Sequence, residues 1–575
     1  MAPTTQGGAF MLDGPRPAFT TPEAFDEEQR ALQRMAADFT CGELLPVVAR
    51  LEAQEPGLMR ALLRKAGALG LLAGDIPEEY GGLGLPKTTT LLLQEAMVHY
   101  GSWGVTLGAH TTIGTLPIRF FGTPAQKAHY LPRLASAERV AAYALTEAGS
   151  GSDALAARTT ARRDGEHWVL DGTKQWITNA GFADVFTVFA KVDGAAFTAF
   201  IVERGDPGVR VGPEEKKLGI RGSSTCDLVL DGAQLPADRL LGEVGRGHRI
   251  AFGILNMGRL KLGSGAAGSC KYALGLAVEF ARTRRQFGRA IAEFGMVREK
   301  LAAMAVRTFL VESMAYRTSG LIDAFLHAGD GSVGHEQRAL EEYAVECSIL
   351  KVAGSEAAAW VADEALQVHG GYGFTAHFPI ERVYRDVRIN RIFEGTNEIN
   401  RLIIPGTLLK RAARGGPAWL TPPDAPPPPA PAGPLGQEER FLVVARRLVA
   451  RLCAHASTTL GEALDERQDV QHRMADLLMD VFAVDTVLGR AHQTREHLGP
   501  EAARLQQALS AWATYDASER IRGNARRLAA ALASGPALDA LLDQTRALEV
   551  RPPDLLHARE TITERLLADG AYRQP

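Results

Sequence analysis

Asp-Gly occurs four times within a short stretch of this chain, at Asp164-Gly165, Asp171-Gly172, Asp193-Gly194 and Asp231-Gly232. A two-residue hairpin turn needs positive φ at both central positions, and Asp-Gly supplies it at low cost. Short β-rich runs flank the pairs: His167–Leu170, Gln175–Thr178, Val185–Val192, Phe197–Val202 and Leu228–Leu230. Residues 141–248 are therefore expected to form a small β-barrel domain. On both sides the apolar period becomes helical. In 22–140, Leu58, Leu62, Leu63, Ala66 and Leu69 repeat at helical spacing before Tyr80-Gly-Gly-Leu-Gly-Leu-Pro86 interrupts them. In 249–412, the stretches Gly268–Thr283, Met296–Phe325 and Gly334–Gln367 predict four or five long helices with short connections, a bundle. The fold class expected is thus α with an inserted β domain.

Residues 413–437 read as a linker, dense in proline with Pro426 to Pro429 consecutive, and should be extended and semi-rigid. Residues 438–575 are helical again and lysine-free, an additional α domain. A chain of 575 residues exceeds what one core can serve.

Charge narrows the function classes. The net charge is −3, which gives no reason to expect nucleic acid. Five scattered cysteines (Cys41, Cys226, Cys270, Cys347 and Cys453) form no C-x-x-C pair, so neither a disulfide framework nor a zinc site is expected. The opening Met1-Ala-Pro-Thr-Thr-Gln-Gly-Gly shows no secretory or transit pattern, and no run of 18 apolar residues occurs, so a cytoplasmic location is expected.

No P-loop, H-E-x-x-H or G-x-S-x-G is present. Four other segments carry chemistry. Tyr143-Ala-Leu-Thr-Glu-Ala-Gly-Ser-Gly-Ser-Asp153 combines glycines that let backbone approach a ligand with the hydroxyls of Thr146, Ser150 and Ser152. It could bind phosphate, or be a polar turn entering the β domain. Trp176-Ile-Thr-Asn179 ends a predicted strand, where a tryptophan taken alone reads as core. Arg284-Arg-Gln-Phe-Gly288 ends a helix, where cations suit the dipole. Gln367-Val-His-Gly-Gly-Tyr-Gly373 is followed by Arg391-Ile-Phe-Glu-Gly-Thr-Asn-Glu-Ile399, which sets Glu394 in apolar surroundings. Burial would raise its pKa and make it a stronger base, unless it is simply an acid at a helix N-terminus capped by Thr396 or Asn397.

Together the four segments resemble the acyl-CoA dehydrogenase family, in the family's order, over nearly the whole chain to about residue 412. The C-terminal extension and the Arg391–Ile399 segment look like the very-long-chain branch. Bacterial long-chain members look similar over Gly7-Gly-Ala-Phe10 and Pro77–Leu85. The resemblance implies an FAD-dependent enzyme that desaturates a long-chain fatty acyl-CoA at its α,β bond. Glu394 would be the α-proton base, with flavin N5 accepting the hydride. The enolate donors would be the Glu394 backbone N–H and the flavin ribityl 2′-hydroxyl. Some relatives carry the base where this chain has Gly258. Glycine cannot act as one, and here it would leave room at the deep end of an acyl pocket. Tyr143, Leu145, Thr146, Gly151, Ser152, Trp176 and Thr178 would line the flavin. Arg284, Gln286, Phe287, Gln367 and Gly371 would reach FAD across a subunit interface, while Thr396 and Glu398 would contact its diphosphate–adenosine half. Ser152, Asn256, Arg259, Glu394 and Gly395 match substrate-contacting positions. Two departures stand out: Ala148 replaces a usual proline, and Cys226 stands where a longer polar residue is frequent.

The resemblance further implies an electron-transferring flavoprotein as acceptor and a homodimer in which 438–575 covers the surface through which shorter relatives form tetramers. Two readings stay open for Phe441–Leu452, with Arg446, Arg447 and Arg451 interspersed. It is either an ordinary helix packed on the catalytic core, the reading preferred, or one lying on a membrane surface. An acyl-CoA oxidase using O₂, and a non-catalytic scaffold or assembly protein on the same fold, are the alternative functions.

Overall fold

The computed structural model describes residues 5–14, 16–548 and 550–573; the first four residues of the leader reading and the last two of the chain lie outside them. Helices α1 (Glu27–Phe39), α2 (Val48–Glu52), α3 (Leu58–Ala68), α4 (Lys87–Met97), α5 (Gly101–Gly108), α6 (Leu116–Phe121) and α7 (Pro124–Ala135) open the chain. Local signals set their starts: Asp26–Gln29 and Thr123–Gln126 are reciprocal capping boxes, the second with Pro124 in the first turn.

The β segment contains β1 (Ala141–Ala144), β2 (Thr160–Asp164), β3 (His167–Thr178), β4 (Val185–Val192), β5 (Ala196–Glu203), β6 (Val209–Val211), β7 (Thr225–Pro236) and β8 (Leu240–Leu241). The sheet runs β6-β7-β3-β2-β4-β5-β8, with β1 parallel to β4. Its end strands do not pair, so among the described residues the expected barrel is not closed by hydrogen bonds. Two Asp-Gly pairs make the predicted hairpins, Asp164-Gly165 between β2 and β3 and Asp193-Gly194 between β4 and β5. The other two do not turn the chain. Asp171-Gly172 and Asp231-Gly232 lie inside β3 and β7, opposite one another at a shift in register, and the Gly232 N–H donates to Asp171 Oδ1 at 2.7 Å. There the same positive-φ preference serves a bulge. A second shift, between Lys174 and Ile177, leaves Trp176 at φ +58°.

The bundle comprises α8 (Gly247–Thr283), α9 (Gly295–His327), α10 (Val333–Glu342), α11 (Ala344–His369), α12 (Pro379–Val387) and α13 (Asn397–Ala413), with a small hairpin of β9 (Arg285–Gln286) and β10 (Arg289–Ala290) after α8. The helical stretch Gly334–Gln367 is divided between α10 and α11. Helices α8 and α11 meet closely at Gly263, where a side chain's Cβ would fall 2.2 Å from Leu350 Cγ.

Beyond the proline-rich stretch come α14 (Gly436–Leu460), α15 (Gln468–Leu498), α16 (Arg504–Leu532), α17 (Gly535–Thr545) and α18 (Leu555–Asp569). Helix α14 turns Phe441, Leu442, Ala445, Leu448, Val449 and Leu452 into the core. Arg446 is buried on Asp485 and the Phe10 carbonyl, Arg447 pairs with Asp13, and Arg451 donates to the Pro423 carbonyl. The packed-helix reading describes this segment, because its apolar face is spent inward and none is left for a membrane surface. Buried charge fixes the extension to the core. Arg490 of α15 bridges Glu23 at 2.8 Å and Glu312 of α9 at 2.7 Å, while Asp485 gathers Arg16, Arg317 and Arg446. Among the described residues, no helix is long and apolar enough to cross a membrane, and no cluster of His, Cys, Asp and Glu could hold a metal ion.

Candidate active site

Thr396 caps α13, its hydroxyl accepting from the Ile399 N–H at 3.2 Å. Two residues earlier, Glu394 stands at φ +57°, a left-handed conformation that costs a side-chain-bearing residue roughly 1–2 kcal/mol. Hydrogen bonds to the loop carbonyls hold it there. Arg259 Nε and Asn400 Nδ2 each donate to the Glu394 carbonyl at 3.3 Å, and Asn400 also reaches those of Gly395 and Thr396. Lys351 Nζ donates to the Gly395 carbonyl at 2.7 Å and to Asn397 Oδ1 at 2.8 Å. Asn256 orients Arg259 through a 2.9 Å bond and spends its own amide on the Leu340 carbonyl. Both were expected at the substrate; in the structure they also brace the Glu394 loop.

The Glu394 carboxylate is left without a partner for its buried Oε2, and its peptide N–H donates to no group among the described residues. Burial raises its pKa to about 7, outweighing the lowering by Arg259 and Lys351. The same burial brings Lys351 down to about 7.

Glu394 faces a half-open cavity between α4, α5, α8 and α12, about 930 Å³ when the space open to solvent is included. Gly101, Gly104 and Gly108 thin the α5 wall. Along α8 the wall is Gly258, Leu262, Gly265, Ser269 and Tyr272, one face of a single helix. Gly258 and Tyr272 are fourteen residues apart, so the cavity follows α8 for about 21 Å. Gly258, expected to leave room at the deep end of an acyl pocket, lines this space beside the Glu394 carboxylate. A Cβ there would lie 2.5 Å from Glu394 Oε2, so the glycine makes room for the carboxylate itself.

Across the cavity stands Thr178 of β3. Tyr143 is buried beside it in the fold, close enough for the Glu394 charge to help raise its phenol pKa after burial, the larger cause. The loop that follows β1 is braced by Glu147, which accepts from Lys174 at 2.6 Å and from the Arg158 and Thr159 N–H groups. Ser150 spends its hydroxyl on the Asp153 carbonyl. Gly151 and Ser152 are exposed, Leu145 and Thr146 half-buried. Trp176 is not core: it is 59% exposed at its bulge. Gln286, Phe287, Gln367 and Gly371 are exposed and Arg284 is half-buried. Arg284 lies over the Tyr372 ring, which joins the β9–β10 hairpin to the turn after α11, and Phe287 is 93% exposed at φ +52°. Glu398 is exposed in the first turn of α13.

Family models match this architecture segment by segment: the N-terminal domain of acyl-CoA dehydrogenase over 26–138, its middle domain over 142–233 and its C-terminal domain over 245–409. A further acyl-CoA dehydrogenase C-terminal domain matches 445–547. The chain belongs to the acyl-CoA dehydrogenase family. A probable acyl-CoA dehydrogenase of Bacillus subtilis is 43% identical, with 97% of each chain covered. The human mitochondrial very long-chain specific acyl-CoA dehydrogenase is 36% identical over 88% of this chain and 81% of that one. An acyl-CoA dehydrogenase from Bacillus anthracis, solved in complex with FAD, superposes with a TM-score of 0.95 at 41% identity, covering 99% of this chain and all of that one.

In this acyl-CoA dehydrogenase the residues missed from sequence are the braces. Lys351 follows the apolar Ile349-Leu350 inside a helix, a lysine out of place that could have drawn notice. Asn400 gave no signal, since an asparagine one turn into a helix is unremarkable until its carbonyl partners are seen.

Proposed function

We propose that this enzyme is an FAD-dependent dehydrogenase of long-chain acyl-CoA, with Glu394 as the base that removes the α-proton. The observation that carries the reading is a carboxylate with its Oε2 buried and unpartnered, raised to about 7, lining a cavity that follows α8 for about 21 Å. A base tuned near the working pH combines availability with strength. The free N–H of Glu394 is a donor for the thioester oxygen as negative charge develops there.

Chain length follows from geometry. Carbon–carbon bonds of about 1.52 Å at about 111° advance roughly 1.25 Å per carbon, so the cavity suits about 16 carbons.

FAD fits the residues on the β side. A Cβ at Gly149 or Gly151 would meet nothing within 4 Å, leaving an open cradle, and Trp176 offers an exposed ring face. Thr146, Ser152 and Thr178 carry hydroxyls free of intramolecular bonds among the described residues. Tyr143, Leu145 and Gly151 would complete this wall, and Thr396 and Glu398 the diphosphate–adenosine side. Bound there, FAD supplies the acceptor for the β-hydride. The exposed Arg284–Phe287 hairpin with Gln367 and Gly371 supports a homodimer in which one protomer completes its partner's cofactor site. No nicotinamide fingerprint is visible in the sequence, and an electron-transferring flavoprotein is the proposed electron outlet.

Glu394→Gln tests the base. It keeps shape and removes proton affinity, so FAD and acyl-CoA should bind while anaerobic flavin bleaching by hexadecanoyl-CoA nearly stops. Bleaching at the wild-type rate would overturn the assignment.

A further inference from the structure

We propose that the acyl cavity holds a polar subsite at Gln94, which receives an oxygen substituent, a hydroxyl or oxo group, near carbon 10 of the acyl chain. The inference rests on the acyl-CoA reading of the same cavity. Gln94 of α4 lies in the cavity wall with only 7% of its surface exposed. Its Nε2 faces α8, 3.9 Å from where a Cβ on Gly265 would stand. Two neighbouring polar side chains of this wall are engaged, Lys261 with Asp75 at 2.5 Å and Ser269 with the Gly265 carbonyl at 3.0 Å, while Thr112 Oγ1 and Asp386 Oδ2 elsewhere in the lining are, like the Gln94 amide, without a partner. The Gln94 amide has no hydrogen-bond partner among the described residues, so two donors and an acceptor face a largely apolar space. Farther along, His99 and Tyr272 stack at 4.8 Å and also bring unbonded polar atoms to the wall.

The position of the substituent follows from the helix. Gly265 is seven residues beyond Gly258, whose missing Cβ marks the Glu394 carboxylate, which is about 10.5 Å along α8. At roughly 1.25 Å per carbon this is about eight carbons past the reacting pair, hence near carbon 10. A plain methylene laid against Gln94 leaves the amide unpaired, whereas a hydroxyl or oxo group satisfies it. Sites built to hydrogen-bond a substrate group discriminate against the analogue lacking it.

The test compares kcat/KM of the holoenzyme for hexadecanoyl-CoA and its 6-hydroxy and 10-hydroxy forms, in wild type and in Gln94→Met, a near-isosteric apolar change. The wild type should prefer the 10-hydroxy chain over both others by about tenfold. Gln94→Met should abolish that preference while melting at the wild-type temperature. The positional comparison in wild type stands by itself if the variant does not fold. Equal use of the three chains, or a preference that survives in Gln94→Met, would overturn the subsite. Failure of all three to reduce the flavin would overturn the acyl-CoA reading and the subsite with it.

Discussion

Gly258→Ala separates positioning from folding in one substitution. Gly258 lies inside α8, where alanine is favoured over glycine by about 1 kcal/mol, so helix energetics predict a stable variant. The new Cβ would stand 2.5 Å from Glu394 Oε2, 2.8 Å from Cδ and 3.1 Å from Oε1. Carbon and oxygen rest at about 3.3 Å or more, so the carboxylate must retreat by roughly 0.8 Å. The carboxylate is the free end of a side chain and can move cheaply, whereas the backbone of its loop is pinned by Arg259, Asn400 and Lys351. A displacement near 1 Å of a reacting group costs about 10²-fold in rate, or about 2.7 kcal/mol of barrier. Anaerobic stopped-flow reduction of the flavin at saturating hexadecanoyl-CoA should therefore slow by about two orders of magnitude. Flavin content should hold and the melting temperature should not fall. A variant reduced at the wild-type rate would refute the claim that this glycine exists for the base.

Other outcomes follow from the same geometry. Flavin reduction should rise with pH through about 7, since Glu394 must be unprotonated, and fall about tenfold per unit below it; a rate flat from pH 5 to 8 would exclude Glu394 as the titrating base. Because the folded pKa is raised, the wild type is penalised above pH 7 and not below 4.5, so Glu394→Gln should be the more stable protein at pH 8, by on the order of 3 kcal/mol at most, with the gap closing by pH 4 in denaturant titrations. Arg490→Leu takes the cation from buried Glu23 and one of the two cations from buried Glu312, which keeps Lys271, and should cost about 3–5 kcal/mol by chemical denaturation, while an unchanged midpoint would refute the docking role given to this residue. Phe287→Asp should shift light scattering from dimer toward monomer and lower the retained flavin; a flavin-replete dimer would remove the hairpin from the interface.

What could be read from the sequence depended on whether the cause of each feature was local. The caps of α1 and α7 and the Asp164-Gly165 and Asp193-Gly194 hairpins arise from residues adjacent in sequence, and the expected types were found there. Asp171-Gly172 carried the same local signal yet became a bulge, because its partner strand has Asp231-Gly232 at the matching register and the two stay paired through Gly232 and Asp171. That outcome depends on two segments sixty residues apart. Trp176 failed as a core residue for a related reason: the bulge at Lys174–Ile177 turns its ring to the surface. Glu394 was legible as a carboxylate in apolar company, but its braces were not, since Arg259, Lys351 and Asn400 come from three helices and reach backbone carbonyls that no side-chain pattern records. The extension shows the same limit. Its apolar helix and three arginines fitted either a packed helix or a membrane surface, and only the acids facing them decide: Asp13 precedes the first long helix, and Asp485 lies one helix later. A charge in an amphipathic segment is informative once its partner is known. Here the partners are distributed so that the N-terminal stretch, the bundle and the extension each supply part of the same buried pairs, which makes the added domain a component of the catalytic core's own electrostatics.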